Sequence, residues 1–312
     1  MLRVFHNLRR AVWSAFGHNA LTMAKAAAYS AILSIFPALL VVTTLVAMMP
    51  AGDDIRGVLR AGFQQVLPPD TMLLVQSYFI TYHARSMRII GGSVFVSVFA
   101  AMGVLLSLME GFRRAYRLPR GTWGFWKERV AALLLVPGTM IPMAIGTLFL
   151  AFGHGIERWM IVNSEHDLHL YVIVLWRLIR WGIALAASVL SLIMIYHYGV
   201  PRQRMALQTG KLAWGRWRET LPGAAIATAT WFIATLGYGF YLTRFADYSI
   251  VYGSLGAGIA TLVWLYMVSL SVLIGAEFNA QMFPLPGKDA AEAPAEAAGL
   301  GKDQNAAPFA AM

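Results

Sequence analysis

The sequence predicts an all-α integral membrane protein with six transmembrane helices and both termini in the cytoplasm. Composition is the first of three observations behind this prediction, because 58% of the 312 residues are hydrophobic and only 13% are charged. Soluble domains carry about 25% charged residues, so a soluble fold could not cover this much apolar surface. The chain contains no cysteine, which excludes disulfides, thiolate zinc sites and thiol nucleophiles.

The second observation is a set of six long stretches that contain no Asp, Glu, Lys or Arg. A helix needs about 20 apolar residues to cross a hydrocarbon core of about 30 Å. Long runs without alternation exclude a transmembrane β-barrel. We therefore predict a membrane domain over residues 1–283, with spans 1 to 6 at residues 26–49, 89–109, 130–153, 173–199, 221–243 and 252–276.

The third observation is the uneven distribution of basic residues between the loops. Seventeen Lys and Arg lie in the N-terminal segment, the second and fourth loops and the C-terminal tail, whereas the other three loops carry six. Basic residues accumulate on the cytoplasmic side, which places both termini in the cytoplasm. The formal net charge of +10 then follows from topology and from attraction to anionic lipid, so membrane lipids are the expected partners and nucleic acid is not.

The segment after the last span differs in composition from the rest of the chain. Residues 284–312 consist mainly of Ala, Gly and Pro with scattered charged residues. Such a segment cannot bury enough apolar surface to offset the entropy of ordering it. We predict a disordered cytoplasmic tail and assign it no function.

Four tryptophans mark the cytoplasmic entries of two spans. Trp123 and Trp126 precede span 3, and Trp214 and Trp217 precede span 5, with basic residues beside each pair. This pattern is typical of amphipathic elbow helices whose rings lie at headgroup depth. The N-terminal segment Leu2–Phe16 resembles them more loosely. A parallel repeat of helix pairs, as in some transporters, is the alternative interpretation.

Prolines inside the predicted spans indicate kinks. Pro37 lies in span 1, and Pro137, Gly138 and Pro142 lie in span 3. A proline removes a backbone donor and frees a carbonyl that lipid cannot satisfy. We expect these faces to contact protein or a water-filled cavity. Packing kinks and a transport path both fit the pattern.

Small residues line the start of span 6. Gly253, Gly256 and Gly258 would give a smooth surface for close helix contact, and we interpret them as packing residues. The same surface would serve in a homo-oligomer, an alternative that the sequence leaves open.

Five polar residues near the spans are candidates for lipid binding or transport. Arg177 and Arg180 share a face of span 4. They lie at the outer headgroups if that helix begins at Trp181, and inside the membrane, able to hold an anionic headgroup, if it begins near residue 168. Glu277 and Asn279 end span 6 on the side where Lys25 begins span 1. Glu277 could accept a proton, and pairing with a basic residue such as Lys25 is the favoured role.

Three segments resemble the YihY/BrkB family of bacterial membrane proteins. KAAAYSAILSIFP at residues 25–37 is similar to the first-helix motif of the family, and LPGAAIATATW at residues 221–231 is similar to the fifth. The most specific similarity runs from FADY at 245–248 through YGSLG at 252–256 to GAEFNA at 275–280. The resemblance covers roughly residues 11–281 and implies six spans in the bacterial inner membrane. Other members of the family have carried an older ribonuclease label and have been linked to serum resistance and lipid export.

The sequence is compatible with two functions and disfavours a third. The favoured one is a transporter or scramblase-like factor for an anionic lipid or amphiphile in envelope biogenesis, and the alternative is an envelope scaffold without transport. A hydrophilic cavity between spans 1, 3, 4 and 6 would favour the first, and a tightly packed interior the second. A ribonuclease is not supported, because no HxHxDH, P-loop, GxSxG or HExxH motif occurs, and we expect no metal or cofactor.

Overall fold

The computed structural model describes residues 2–47, 87–118, 124–163, 169–200, 217–244 and 254–283, and these residues form helices without strands. The predicted tail and the segments between these ranges lie outside the described residues. The helices are α1 Leu2–Gly17, α2 Ala20–Ala47, α3 Met87–Ala115, α4 Phe125–Asn163, α5 His169–Tyr198, α6 Trp217–Arg244 and α7 Ser254–Met282.

Five of these helices, α3 to α7, are long and apolar enough to cross a membrane, and they correspond to predicted spans 2 to 6. Helix α2 corresponds to span 1. It has 28 residues, a spanning length at 1.5 Å per residue, but it is not among the five helices found to be long and apolar enough. The all-helical membrane fold is therefore confirmed, whereas the sixth crossing and the cytoplasmic orientation stay predictions.

Large apolar side chains cover the outside of the helices. Phe95 of α3, Leu134 of α4, Leu178 of α5, and Ile233 and Leu236 of α6 are each more than 60% exposed. An apolar surface of this extent is not stable in water and fits the hydrocarbon of a bilayer.

The helices alternate in direction, and their packed core lies at one end of the bundle. The end of α3 meets the end of α5 there, where the rings of Phe112 and Tyr196 are 5.3 Å apart. Ala24 near the start of α2 and Ala132 near the start of α4 belong to the same buried cluster. Helix α7 packs against α1, α2, α3 and α6, and it is the most buried of the five spans.

Helix α1 is separate from α2 because the chain turns at Asn19, whose φ of 60° is in the left-handed region that Asn tolerates. The Asn19 carbonyl accepts the Thr22 and Met23 N–H groups and so begins α2. Ala11 and Ala15 of α1 are buried, whereas Trp13 is 73% exposed. The segment that was predicted to be amphipathic is thus a complete helix, and its small residues, Ala11 and Ala15, are packed against the rest of the protein.

The other two predicted elbows are not separate helices in the part of the chain that the structure describes. Trp126 and Trp217 lie in the first turns of α4 and α6, which continue without a break into the apolar residues, in α6 through Pro222. Both side chains are exposed, 75% and 43% respectively, as an aromatic ring at an interface requires. Trp123 and Trp214 lie outside the described residues.

The prolines are placed differently from one another. Pro37 and Pro142 are half-buried, but Pro137 is exposed, in contrast to the expected contact with protein or a cavity. Near Pro142 the Ser191 hydroxyl of α5 donates to the Thr139 carbonyl of α4 over 3.1 Å. This bond ties α5 to α4 one residue after Gly138, whose carbonyl lacks the N–H donor that Pro142 cannot provide. A Cβ on Gly138 would meet Met194 at 3.5 Å, so Gly138 also belongs to the α4–α5 contact.

The glycines of span 6 also differ from one another in burial. Gly256 is buried, as a packing residue should be, but Gly258 is exposed and an added Cβ there would meet nothing within 4 Å. Gly253 lies outside the described residues. The predicted packing role therefore fits Gly256, whereas Gly258 makes no close helix contact with the described part of the chain.

Candidate functional site

The two arginines of span 4 lie inside the helix and not in front of it. Helix α5 begins at His169, so Arg177 and Arg180 do not precede a helix that starts at Trp181, whereas their depth in the bilayer stays a prediction. Arg180 lies eleven residues after His169, or roughly 16 Å along the axis, within the part of α5 that is long and apolar enough to cross a membrane. Arg180 is only 6% exposed, whereas Arg177 is exposed. One cation thus faces the protein interior and the other faces outward.

A cavity of about 300 Å³ lies between α4, α5 and α6. Its wall is mostly apolar and includes Gly146 of α4, Trp181 and Ser188 of α5, and Trp231 and Thr235 of α6. The sequence criterion for transport was a hydrophilic cavity between spans 1, 3, 4 and 6, which are α2, α4, α5 and α7. The observed cavity shares α4 and α5 with that prediction, but it is lined by α6 in place of α2 and α7. Its chemistry also differs, because the long uncharged stretches of α4 to α6 leave it few polar side chains.

The arginines lie next to this cavity. In a helix, residues four apart share a face. Arg177 is therefore one turn from Trp181, and Arg180 is one turn from Ala184, and both of these residues line the cavity. The arrangement places two cations at one end of an apolar space. An anionic amphiphile has the complementary distribution, a negative headgroup at one end of an apolar chain.

Glu277 pairs with His18 and not with Lys25. The Nδ1 atom of His18 is 2.6 Å from Oε1 of Glu277, and the Glu277 side chain is 3% exposed. The Ser14 hydroxyl is 3.3 Å from the same nitrogen. Lys25 is exposed because α2 turns its alanines, including Ala24 and Ala28, to the core. The prediction from the sequence named Lys25 as the partner of Glu277 and did not identify the histidine at the α1–α2 turn.

Asn279 joins α7 to the start of α6. Its Oδ1 accepts the Gly223 N–H at 2.7 Å, and its Nδ2 donates to the Thr220 carbonyl at 3.1 Å. Asn279 is 0% exposed. These bonds, which satisfy the whole amide within the protein, give Asn279 a structural role.

Two residues near Asn279 were not found by the sequence reasoning. The Tyr196 hydroxyl donates to the Val272 carbonyl over 2.6 Å, which ties α5 to α7. Gly275 lies between Tyr196 and Gly223 with no room for a side chain. The sequence gives little indication of either role. Tyr196 lies in an uncharged stretch and Gly275 one turn before Asn279, and the partners of both residues are distant in the sequence.

Removing the His18 imidazole should destabilise the protein, because the Glu277 carboxylate would stay buried without its donor. We expect His18→Ala and Glu277→Gln to show a coupling energy of about 0.5–3 kcal/mol in a double-mutant cycle. Thermal unfolding in detergent measures it. Lys25→Ala is the matched control, and a coupling of Lys25 to Glu277 as large as that of His18 would contradict the assignment.

The described residues contain no group of three or more His, Cys, Asp or Glu side chains placed to hold a metal ion. Glu165, His166, Asp167 and His169 are close together in the sequence, and the first three lie outside the described residues.

Comparison with known proteins decides the family. The family described as Virulence factor BrkB matches residues 12–297, nearly the whole chain. The chain belongs to this BrkB family. The resemblance inferred from the sequence motifs is thereby confirmed, and so is the membership of a membrane protein family.

Relatives of this BrkB protein carry two kinds of name. It is 28% identical over 257 residues to the "Putative ribonuclease-like protein YfkH" of Bacillus subtilis, an alignment that covers 81% of this chain and 86% of the relative. It is 25% identical over 273 residues to a "UPF0761 membrane protein" of Tolumonas auensis, covering 86% and 83% of the two chains. No solved structure matches the chain.

Proposed function

We propose that this BrkB-family protein lies in the bacterial inner membrane, where it binds an anionic lipid or amphiphile and promotes its movement or distribution. The observation that carries the proposal is the position of Arg180, buried in the membrane-crossing part of α5 with Arg177 one turn away. A charged residue at such depth is costly and is kept where it serves a function. A guanidinium binds phosphate through two parallel hydrogen bonds, which suits an anionic headgroup.

The competing function is an envelope scaffold without transport. The tightly packed end of the bundle fits a scaffold, since α7 packs there against α6 through Asn279 and against α5 through Tyr196. The other half of the molecule fits a lipid-handling protein better, because the cavity and the arginines lie away from that packed end. We give the second observation more weight, since a scaffold has no need of a buried cation beside an apolar cavity.

The ribonuclease-like name of one relative does not carry an activity to this chain. Hydrolysis of RNA by the metal-dependent route needs a cluster of metal ligands. The sequence has no HxHxDH motif, and we propose that the protein is not a ribonuclease.

Liposome reconstitution tests the proposal. Vesicles with the protein should exchange a labelled anionic phospholipid between leaflets faster than empty vesicles. Arg180→Gln should slow this exchange about tenfold, the effect of losing one charge-assisted hydrogen bond of about 1.5 kcal/mol. Arg177→Gln should act in the same direction, and its exposed position makes a folding defect a poor explanation.

Lys25→Gln is the matched control, because Lys25 is an exposed cation on a different helix, away from the cavity. Exchange that is no faster than in empty vesicles would favour the scaffold. Exchange that is equally fast for neutral and anionic lipids, and insensitive to both arginine variants, would overturn the role of the arginines.

A further inference from the structure

The depth of the cavity is the starting observation. Its lining residues occupy 143–150 in α4, 181–188 in α5 and 231–235 in α6. These segments lie at or near the middle of the helices Phe125–Asn163, His169–Tyr198 and Trp217–Arg244. In a bilayer the cavity is therefore close to the midplane, the usual depth of substrate sites in transporters built from broken helices.

The chemistry of the lining disfavours a polar solute, although the buried Trp231 indole N–H has no hydrogen-bond partner among the described residues. The Ser188 hydroxyl donates to the Ala184 carbonyl, and the Thr235 hydroxyl accepts the Trp264 indole N–H at 3.1 Å, so both are occupied within the protein. The remaining wall is mostly apolar. A cavity of about 300 Å³ is large enough for part of a small ligand, and an apolar cavity does not hold water well.

The rim of the cavity reaches the outer surface of the helices. Met143, Trp181 and Leu185 line the cavity and are 37%, 48% and 40% exposed. At this depth the medium beside an exposed side chain is the hydrocarbon of the bilayer. A chain of methylene groups is therefore the occupant with direct access to the cavity.

The charges beside the cavity complete a binding site. Arg177 and Arg180 precede the α5 part of the lining and lie closer to the end of the span, on the headgroup side of the cavity. We infer that the cavity binds one acyl chain of an anionic lipid whose headgroup lies at Arg177 and Arg180. This inference rests on the proposed function, because it uses the same two arginines, and it adds the hydrophobic half of the ligand site.

Two tryptophans of the lining allow a direct test. Brominated acyl chains quench indole fluorescence on contact, and Trp231 is half-buried in the cavity wall while Trp181 is at its rim. The protein in nanodiscs of unlabelled phosphatidylcholine receives a few per cent of phosphatidylglycerol with brominated chains. We expect quenching beyond that of a random lipid mixture, and we expect Trp231→Phe to remove a large part of it.

A variant that fills the cavity provides the control for access. Thr147 is exposed and lines the cavity, so Thr147→Phe should place a ring in it and reduce the quenching of Trp231 severalfold. Leu148→Phe is the matched variant, because Leu148 is 53% exposed and is not part of the lining. It should leave the quenching unchanged.

The outcomes separate the chain site from the transport proposal. Selective quenching that Thr147→Phe abolishes supports the acyl-chain site. If leaflet exchange is absent in the same protein, the site still stands and only the proposed movement of lipid is contradicted. Quenching of Trp231 that follows the bulk fraction of brominated lipid, or that Thr147→Phe and Leu148→Phe alter equally, overturns the site. Equal quenching by brominated phosphatidylcholine and phosphatidylglycerol would contradict the proposed binding of an anionic headgroup by Arg177 and Arg180.

Discussion

Gly275→Ala is expected to destabilise the protein, although the same substitution in most helices is stabilising. An added Cβ would lie 2.5 Å from the Gly223 carbonyl oxygen and from the Tyr196 hydroxyl, and 2.8 Å from the Ala227 Cβ. The first contact is with backbone, which cannot rotate away, so α6 and α7 would have to separate. Overpacking of this kind costs about 1–3 kcal/mol, occasionally more. Each kcal/mol lowers the unfolding temperature by roughly 2–4 °C in chains of 150–250 residues.

Gly258→Ala is the matched control on the same helix. Nothing lies within 4 Å of an added Cβ there, so the variant should gain about 0.5–1 kcal/mol from the lower backbone entropy of alanine. Thermal unfolding followed by gel filtration in detergent measures both variants. An unchanged or raised unfolding temperature for Gly275→Ala would show that α6 and α7 do not pack as closely as described.

Asn279→Leu is expected to be the second large loss. It removes both bonds of the side chain and leaves the Gly223 N–H and the Thr220 carbonyl buried without their partner. Each orphaned group costs about 1–3 kcal/mol. The expected result is a lowered unfolding temperature and less protein accumulated in the membrane fraction.

Asn279→Asp separates the two bonds. A carboxylate oxygen can still accept the Gly223 N–H, but its second oxygen would face the Thr220 carbonyl, where the amide nitrogen now donates. We expect an unfolding temperature below that of the parent protein. If Asn279→Leu unfolds at the same temperature as the parent, Asn279 does not clamp α6 and the lipid-binding role predicted from the sequence returns.

The sequence was sufficient for the membrane fold because that fold depends on a property of single helices. A stretch without charges, such as residues 252–276, needs only length and composition to predict a span, and α7 is one of the five helices observed. The BrkB resemblance was likewise readable from contiguous motifs, and the family match over residues 12–297 confirms it.

The candidate site was less predictable, because its parts come together only by packing. Arg177 and Arg180 were found as charges in an apolar region, but which one is buried depends on how α5 rotates against α4 and α6. The partner of Glu277 is 259 residues away in the sequence and is a histidine, which charge counting omits. The apolar cavity has no pattern of its own, since Trp181 and Trp231 look like ordinary lipid-facing residues.

The contact between His18 and Glu277 has a consequence for synthesis of the chain. A polypeptide emerges from the ribosome with its N-terminus first, so α1 exists long before α7 is made. His18 meets Glu277 only after α7 has been made, whereas α1 can contact α2 much earlier. The pairing of α1 with α7 is therefore a late step in the assembly of the membrane domain.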